Sequence, residues 1–276
     1  MISLCFAVLS SSLVAIIMRL SNGRVKYNLG MLAMNYIVCT LLSGLSGGFA
    51  ALPQLGQGRV LAMGAVNGAL YLAGFVLMQF NTRCSGVVLS SVFQKLGLLV
   101  SMSVSVLVYR QVPTALQGLG FLLAVAAIVL MNLGKGHRAG AFHPGLVWML
   151  LTCGMASAMN QVFKESGGGQ PEGLFLFCTF ATAMVLCAGL TAMRGQRIGR
   201  KEVLFGTMIA VPNFFSTKFV LGALESLSAV IVQPVNSVGT ILVVTLTGVL
   251  LFRERLTRQQ WIGIAVILVA LVLLNV

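Results

Sequence analysis

Apolar runs of about 20 residues, the length that crosses a bilayer core of about 30 Å as a helix, follow one another along the chain with short polar connections between them. The C-terminal runs show the pattern most plainly. Val230 opens an apolar stretch that contains Gln233, Pro234, Val235 and Asn236. A polar break, Phe252-Arg253-Glu254-Arg255-Leu256-Thr257-Arg258-Gln259-Gln260, interrupts it, and a second apolar stretch opens with Gly263 and runs to Val276. That is a transmembrane helical hairpin. Read in the same way, the chain predicts ten spans, over about 2–20, 29–48, 59–80, 86–108, 114–133, 145–163, 173–193, 202–224, 229–252 and 259–275. Gly or Pro marks several connections, as from Gly134 to Pro144 and from Ser166 to Gly173, and no extramembrane domain is expected. Met1 leads straight into an apolar run without a basic stretch, so the first span is expected to be retained rather than cleaved.

The C-terminal hairpin has an earlier copy. Moving back 143 positions sets Arg253, Thr257, Gln260, Gly263 and Asn275 on the identical Arg110, Thr114, Gln117, Gly120 and Asn132. Apolar coincidences are cheap in so greasy a chain, but Arg, Thr, Gln and Asn at one fixed offset are not. The offset carries span one onto six and, in order, span five onto ten. Residues 1–133 are therefore expected to form one five-helix repeat, 134–144 a connecting loop and 145–276 the second repeat. Each copy holds an odd number of spans, so the second must enter the membrane facing the other way. The expected fold class is an all-α integral membrane protein, with ten transmembrane helices as two inverted five-helix repeats (5+5).

Charge orients this scheme, because Lys and Arg concentrate in cytoplasmic connections. Connections on the side that holds both termini carry Arg59, Arg110 and Lys164, three basic residues against thirteen on the other side. Both termini are thereby predicted to be extracytoplasmic, in a multi-pass protein of the plasma membrane. Val112 and Ala115 of the first hairpin turn correspond to Arg255 and Arg258 of the second, as expected of equivalent loops held on opposite sides. The composition, 58% hydrophobic and 8% charged, is that of a polytopic membrane protein. The net charge of +13 is spread over connections rather than along one face, so it reports topology and not nucleic-acid binding. All six cysteines lie in or at the ends of spans without metal-ligand spacing, and they are expected to act as small apolar packing residues.

The segment Leu224 to Val276, with its Pro234-Val235 pair, its Phe252-Arg253-Glu254-Arg255-Leu256-Thr257 turn and the later Gln260 and Gly263, resembles the EamA family of the drug/metabolite transporter superfamily. The repeat and the ten-span count extend the resemblance over the chain. The resemblance implies two inverted five-helix bundles around a central cavity, moving small organic solutes by alternating access. The first copy departs from the pattern: Gln111 stands where the second has Glu254, and Ser91 where the second has Pro234.

Two lysines fall within spans, where a charge costs about 2.5 to 3.5 kcal/mol by insertion scales. Lys95 lies nine residues past Gly86, about 13 Å into the span at about 1.5 Å per residue. Gln94 is adjacent to it, and Ser91 precedes it by one turn on the same face, so span four presents a polar stripe. The alternative is a lysine hydrogen-bonded to carbonyls at a broken helix. Lys218 lies nearer the outer end of its span, where snorkelling or pairing with Glu225 also accounts for it. Asn35, Asn67, Tyr71, Asn160, Gln161, Asn213, Phe214, Gln233 and Asn236 are further polar or aromatic residues at mid-span, and at least half of them are expected to hydrogen-bond between helices. Tyr71 aligns with Phe214 in the repeat, which makes the pair candidate walls of one cavity. The candidate substrate-binding set is Lys95, Gln94, Ser91, Lys218, Asn67, Tyr71, Asn213, Phe214 and Asn236.

No Asp or Glu falls in the middle of a span, so a carboxylate that exchanges lipophilic cations for protons is missing, and the lysines favour an anionic group on the substrate. These features point to a secondary transporter of a small organic metabolite, anionic or zwitterionic. No G-x-x-x-x-G-K-[ST] loop is present, so a gradient must drive it. A lipid or lipid-phosphate flippase is the first alternative, with a headgroup on Lys95. A non-transporting assembly subunit leaves Lys95 unexplained. An enzyme is not expected, because His137 and His143 lie in a loop, away from any nucleophile or carboxylate at membrane depth. No cofactor or metal is expected. The expected partners are the small-molecule substrate and the bilayer, with association into a homodimer left open.

Overall fold

The computed structural model describes residues 2–21, 23–53, 58–85, 87–111, 113–132, 143–166, 171–196, 198–252 and 258–274. Within them the chain is all-helical. The helices are α1 (Ile2–Ser21), α2 (Asn28–Ser43) with a π-helical turn at Gly44–Gly48, α3 (Arg59–Ser85), α4 (Val87–Leu96), α5 (Leu98–Leu107) and α6 (Ala115–Asn132). They continue with α7 (Pro144–Ser166), α8 (Glu172–Met193), α9 (Arg200–Leu224), α10 (Ala229–Phe252) and α11 (Arg258–Leu274). Among the described residues six helices are long and apolar enough to cross a membrane, and four shorter apolar helices occupy the remaining predicted spans. This is a multi-pass integral membrane protein.

Local chemistry fixes several helix ends. Before α6, Gln117 N–H donates to Thr114 Oγ1 (3.2 Å) and Thr114 N–H to Gln117 Oε1 (3.1 Å), a reciprocal capping box. The Thr and Gln that revealed the repeat are thus a helix-start device, and their second copy, Thr257 and Gln260, lies outside the described residues and side chains. At the start of α7, His143 Nδ1 accepts the Gly145 N–H (3.1 Å), so this loop histidine has a structural role. Glu202 in the first turn of α9 accepts the N–H groups of Lys26 (3.1 Å) and Tyr27 (3.2 Å), setting a carboxylate at the start of α2 where the helix dipole favours it.

The chain divides into two compact units, each drawing helices from both halves of the sequence. The Lys95 unit comprises Ala73–Gln161 and Ala223–Val276. Its core packs α6 on α11, with α10 against both. Phe121, Ala124 and Ala127 are buried there, as are Ile264, Ile267 and Ala270, the positions 143 residues later.

The Lys218 unit comprises Ile2–Leu72 and Val162–Gly222, and its core packs α2 on α8. Met31, Leu32, Ala33, Asn35, Tyr36 and Thr40 are buried on α2; Leu174, Phe175, Leu176, Cys178, Thr179 and Ala183, each 143 positions on, are buried on α8. The offset first seen in polar residues thus also relates buried faces. Glycines let α3 approach α8 and α9 approach α2 closely. A Cβ on Gly64 would stand 2.5 Å from Cys178 Cβ on α8, and one on Gly206 would stand 2.7 Å from Met34 Cβ on α2.

Span four corrects an expectation, because it is two helices, α4 and α5, that meet at Gly97. The reason is packing rather than local sequence. Gly97 lies backbone to backbone on α7: a Cβ there would come within 3.0 Å of the Gly154 nitrogen and 3.2 Å of the Leu150 oxygen. A side chain at either glycine would drive the two segments apart.

Candidate functional site

In the Lys95 unit, the break at Gly97 leaves Lys95 in the last turn of α4, where a cation meets the negative end of the helix dipole. Lys95 and Gln94 are both half-buried, and the Ser91 side chain lies outside those described. Among the described residues the titratable neighbour of Lys95 is the Cys153 thiol of α7, and no carboxylate faces it. Asn236, half-buried on α10, offers its backbone oxygen to Thr240 Oγ1 (2.6 Å).

A second polar group in this unit was only partly foreseen. Ser105 Oγ donates to Gln161 Oε1 (2.7 Å), and Gln111 Oε1 accepts both Gln161 Nε2 (3.5 Å) and the Ala229 N–H at the start of α10 (3.3 Å). Gln111 follows Arg110, whose φ of 53° turns the chain sharply after α5. The residue that departs from the family turn therefore ties α5 to α7 and α10. Gln233 Nε2 donates to the Ser157 oxygen (3.3 Å), a further tie between α10 and α7.

In the Lys218 unit, Asn213 Nδ2 donates to Asn35 Oδ1 (3.3 Å), joining α9 to α2. The Cys39 thiol lies against the same pair and donates to the Ala210 oxygen (3.3 Å), so this cysteine is a polar partner as well as a packing residue. Asn35 and Asn67 are fully enclosed. Tyr71 and Phe214 are brought together through Phe180: Tyr71 stacks on it at 6.3 Å between centroids, and Phe214 tilts against it at 6.4 Å. Phe180 was missed, because a phenylalanine within a membrane span carries no mark of its own.

Lys218 Nζ donates to Ser46 Oγ (2.7 Å) and stands 5.8 Å from the centroid of the Phe214 ring. Ser46 was also missed. Nothing in Gly44–Gly48 announces that the end of α2 opens into a π-turn, which depends on α8 packing against it. Among the described residues no group of His, Cys, Asp and Glu side chains could hold a metal ion. The nine candidate residues thus divide, with Lys95, Gln94, Ser91 and Asn236 in one unit and Lys218, Asn67, Tyr71, Asn213 and Phe214 in the other.

Residues 143–276 match the EamA-like transporter family. An uncharacterised protein of Haemophilus influenzae is 26% identical over 273 residues, covering 95% of this chain and 93% of the relative. A solved crystal structure aligns with 99% of this chain and 94% of its own at a TM-score of 0.75 and 14% identity, a likeness of fold.

Proposed function

From the match of residues 143–276 to the EamA-like transporter family we propose that the protein is a member of it and a secondary transporter of the drug/metabolite type. Its substrate is a small organic anion or zwitterion, and its two five-helix halves, 1–133 and 145–276, are inverted copies that rock about a midplane site. The cytoplasmic membrane is its location, with both termini outside. It performs no covalent chemistry on the substrate.

Lys95 carries the substrate part of this reading. An ammonium in a span, in the last turn of a broken helix, with no carboxylate beside it among the described residues, is a charge that a bound anion would complete. The matching of buried faces under the 143-residue offset supports the repeat. The test is a thermal-shift screen of the purified protein against amino acids, organic acids, phosphosugars and lipid phosphates, run in parallel on Lys95→Ala. An anionic compound that stabilises only the parent protein is the expected result. Equal stabilisation of both proteins would remove Lys95 from the site, and stabilisation by lipid phosphates alone would make the protein a flippase.

A further inference from the structure

Helix α2 ends in an unusual way. Its last turn widens into the π-helical segment Gly44–Gly48, in which Ser46 (φ −77°, ψ 23°) and Gly47 (φ 109°, ψ −8°) leave helical geometry. Such turns are uncommon and are often found at functional sites. Here the turn is held by backbone packing. A Cβ on Gly173, at the start of α8, would stand 3.0 Å from the Ser46 oxygen and 2.9 Å from the Gly48 nitrogen, and one on Gly48 would stand 2.8 Å from Phe177 Cβ. Only glycine also suits the positive φ at Gly47. The segment therefore holds Ser46 at one place, half-buried, beside the half-buried Lys218.

The hydrogen bond between them has a direction. Lys218 Nζ can only donate, so Ser46 Oγ accepts, at 2.7 Å, and the serine keeps its own O–H to give elsewhere. The ammonium keeps two further N–H groups. Phe214 offers the cation a ring face but no acceptor oxygen. At the start of α8, beside this turn, the Glu172 carboxylate is taken by Lys164 in a salt bridge. A positive charge and two kinds of donor thus stand together at the end of α2.

We infer that Lys218 and Ser46 form a clamp for an oxyanion, a carboxylate or phosphate group whose oxygens take one N–H of the ammonium and the O–H of the serine. The clamp rests on the proposed transport of an anionic solute and adds a second recognition point, with Ser46 as the residue that selects an oxyanion over a simple halide. A soluble metabolite and a lipid headgroup could both supply that group.

The test uses the full chain in phosphatidylcholine nanodiscs and reads its thermal unfolding midpoint in succinate, inorganic phosphate or chloride at equal ionic strength. A parallel set in discs containing phosphatidylglycerol has chloride alone. Succinate or phosphate is expected to raise the midpoint over chloride in the parent protein and in Ser46→Thr. That increment should fall by half or more in Ser46→Ala and vanish in Lys218→Gln. Stabilisation by phosphatidylglycerol that is lost in Ser46→Ala would support the clamp with a lipid occupant, whereas a soluble-anion increment points to a free metabolite. The clamp is overturned if no oxyanion or anionic lipid outperforms its control. It is equally overturned if Ser46→Ala lowers the midpoint yet keeps the full increment, since Ser46 is then only a structural tie. An increment lost in Lys95→Ala but kept in Ser46→Ala and Lys218→Gln also ends the clamp, while leaving the transport reading intact. The reverse pattern keeps the clamp and removes Lys95 as the anchor.

Discussion

In the Lys218 unit, α1 runs antiparallel along α9, setting Ser3 beside Gly222, Phe6 on Phe219 and Ser11 on Ser216. In the Lys95 unit, α7 runs antiparallel along α3, setting Gly145 on Asn81 and Cys153 on Gly74. Moving Ser11 forward and Ser216 back by 143 positions gives Gly154 and Ala73, the immediate neighbours of Cys153 and Gly74. The two crossings therefore share one register but not one chemistry. The first is joined by stacked rings at 5.3 Å and a 2.6 Å hydroxyl pair; the second by a 2.8 Å hydrogen bond donated by Asn81 Nδ2 to the Gly145 oxygen and by small residues. The scaffold is a matter of where small residues let helices meet. The polar chemistry placed upon it differs, and it is there that Lys95 and Lys218 find such different surroundings.

The largest effects should come from the close crossings themselves. Gly154→Ala in the Lys95 unit and Gly68→Ala in the Lys218 unit each put a methyl onto neighbouring backbone, at the Gly97 and Thr179 oxygens, and each should cost about 1 to 3 kcal/mol in detergent-induced unfolding. A small loss at one site and a large one at the other would show that only one unit depends on tight packing. Next, Asn35→Ala leaves Asn213 Nδ2 with only the weak Cys39 sulfur as acceptor and should cost about 0.6 to 2 kcal/mol by the same assay, more than Gln233→Ala, whose bond goes to a backbone oxygen. Thr114→Ala removes the α6 capping box and should cost about 1 kcal/mol, with faster hydrogen exchange confined to the first turn of α6. The smallest effect has the opposite sign. Gly189 on α8 has open space where a Cβ would go, so Gly189→Ala should stabilise by about 0.4 to 1 kcal/mol, and a loss there would mean that this face is covered by something other than lipid.

Much of the fold was legible because its signals are local. The apolar stretch opened by Val230 became α10 with Pro234 inside it, and the run from Pro144 became α7. Thr114 and Gln117, found as a repeated pair, were already a helix start four residues long. The candidate site was legible only in part. Lys95 and Lys218 stood out because charge is rare within spans, and Tyr71 with Phe214 because the offset matched them. Phe180 between those rings, Ser46 beneath Lys218 and Cys153 beside Lys95 carried no mark in sequence, since small and apolar residues are the background of a membrane chain.

The amino-acid sequence by itself determined where the apolar stretches lie, where most of their helices start and stop, and the offset that relates the two halves. Length, hydropathy and capping act over a few turns and need no distant partner. Tertiary structure alone decided that span four breaks at Gly97 and that α2 ends in a π-turn, because Gly154 and Gly173 press on those backbones from other helices. It also decided which polar residues meet, Asn35 with Asn213 and Ser46 with Lys218. In lipid a polar group must find its partner within the protein, and packing chooses which one.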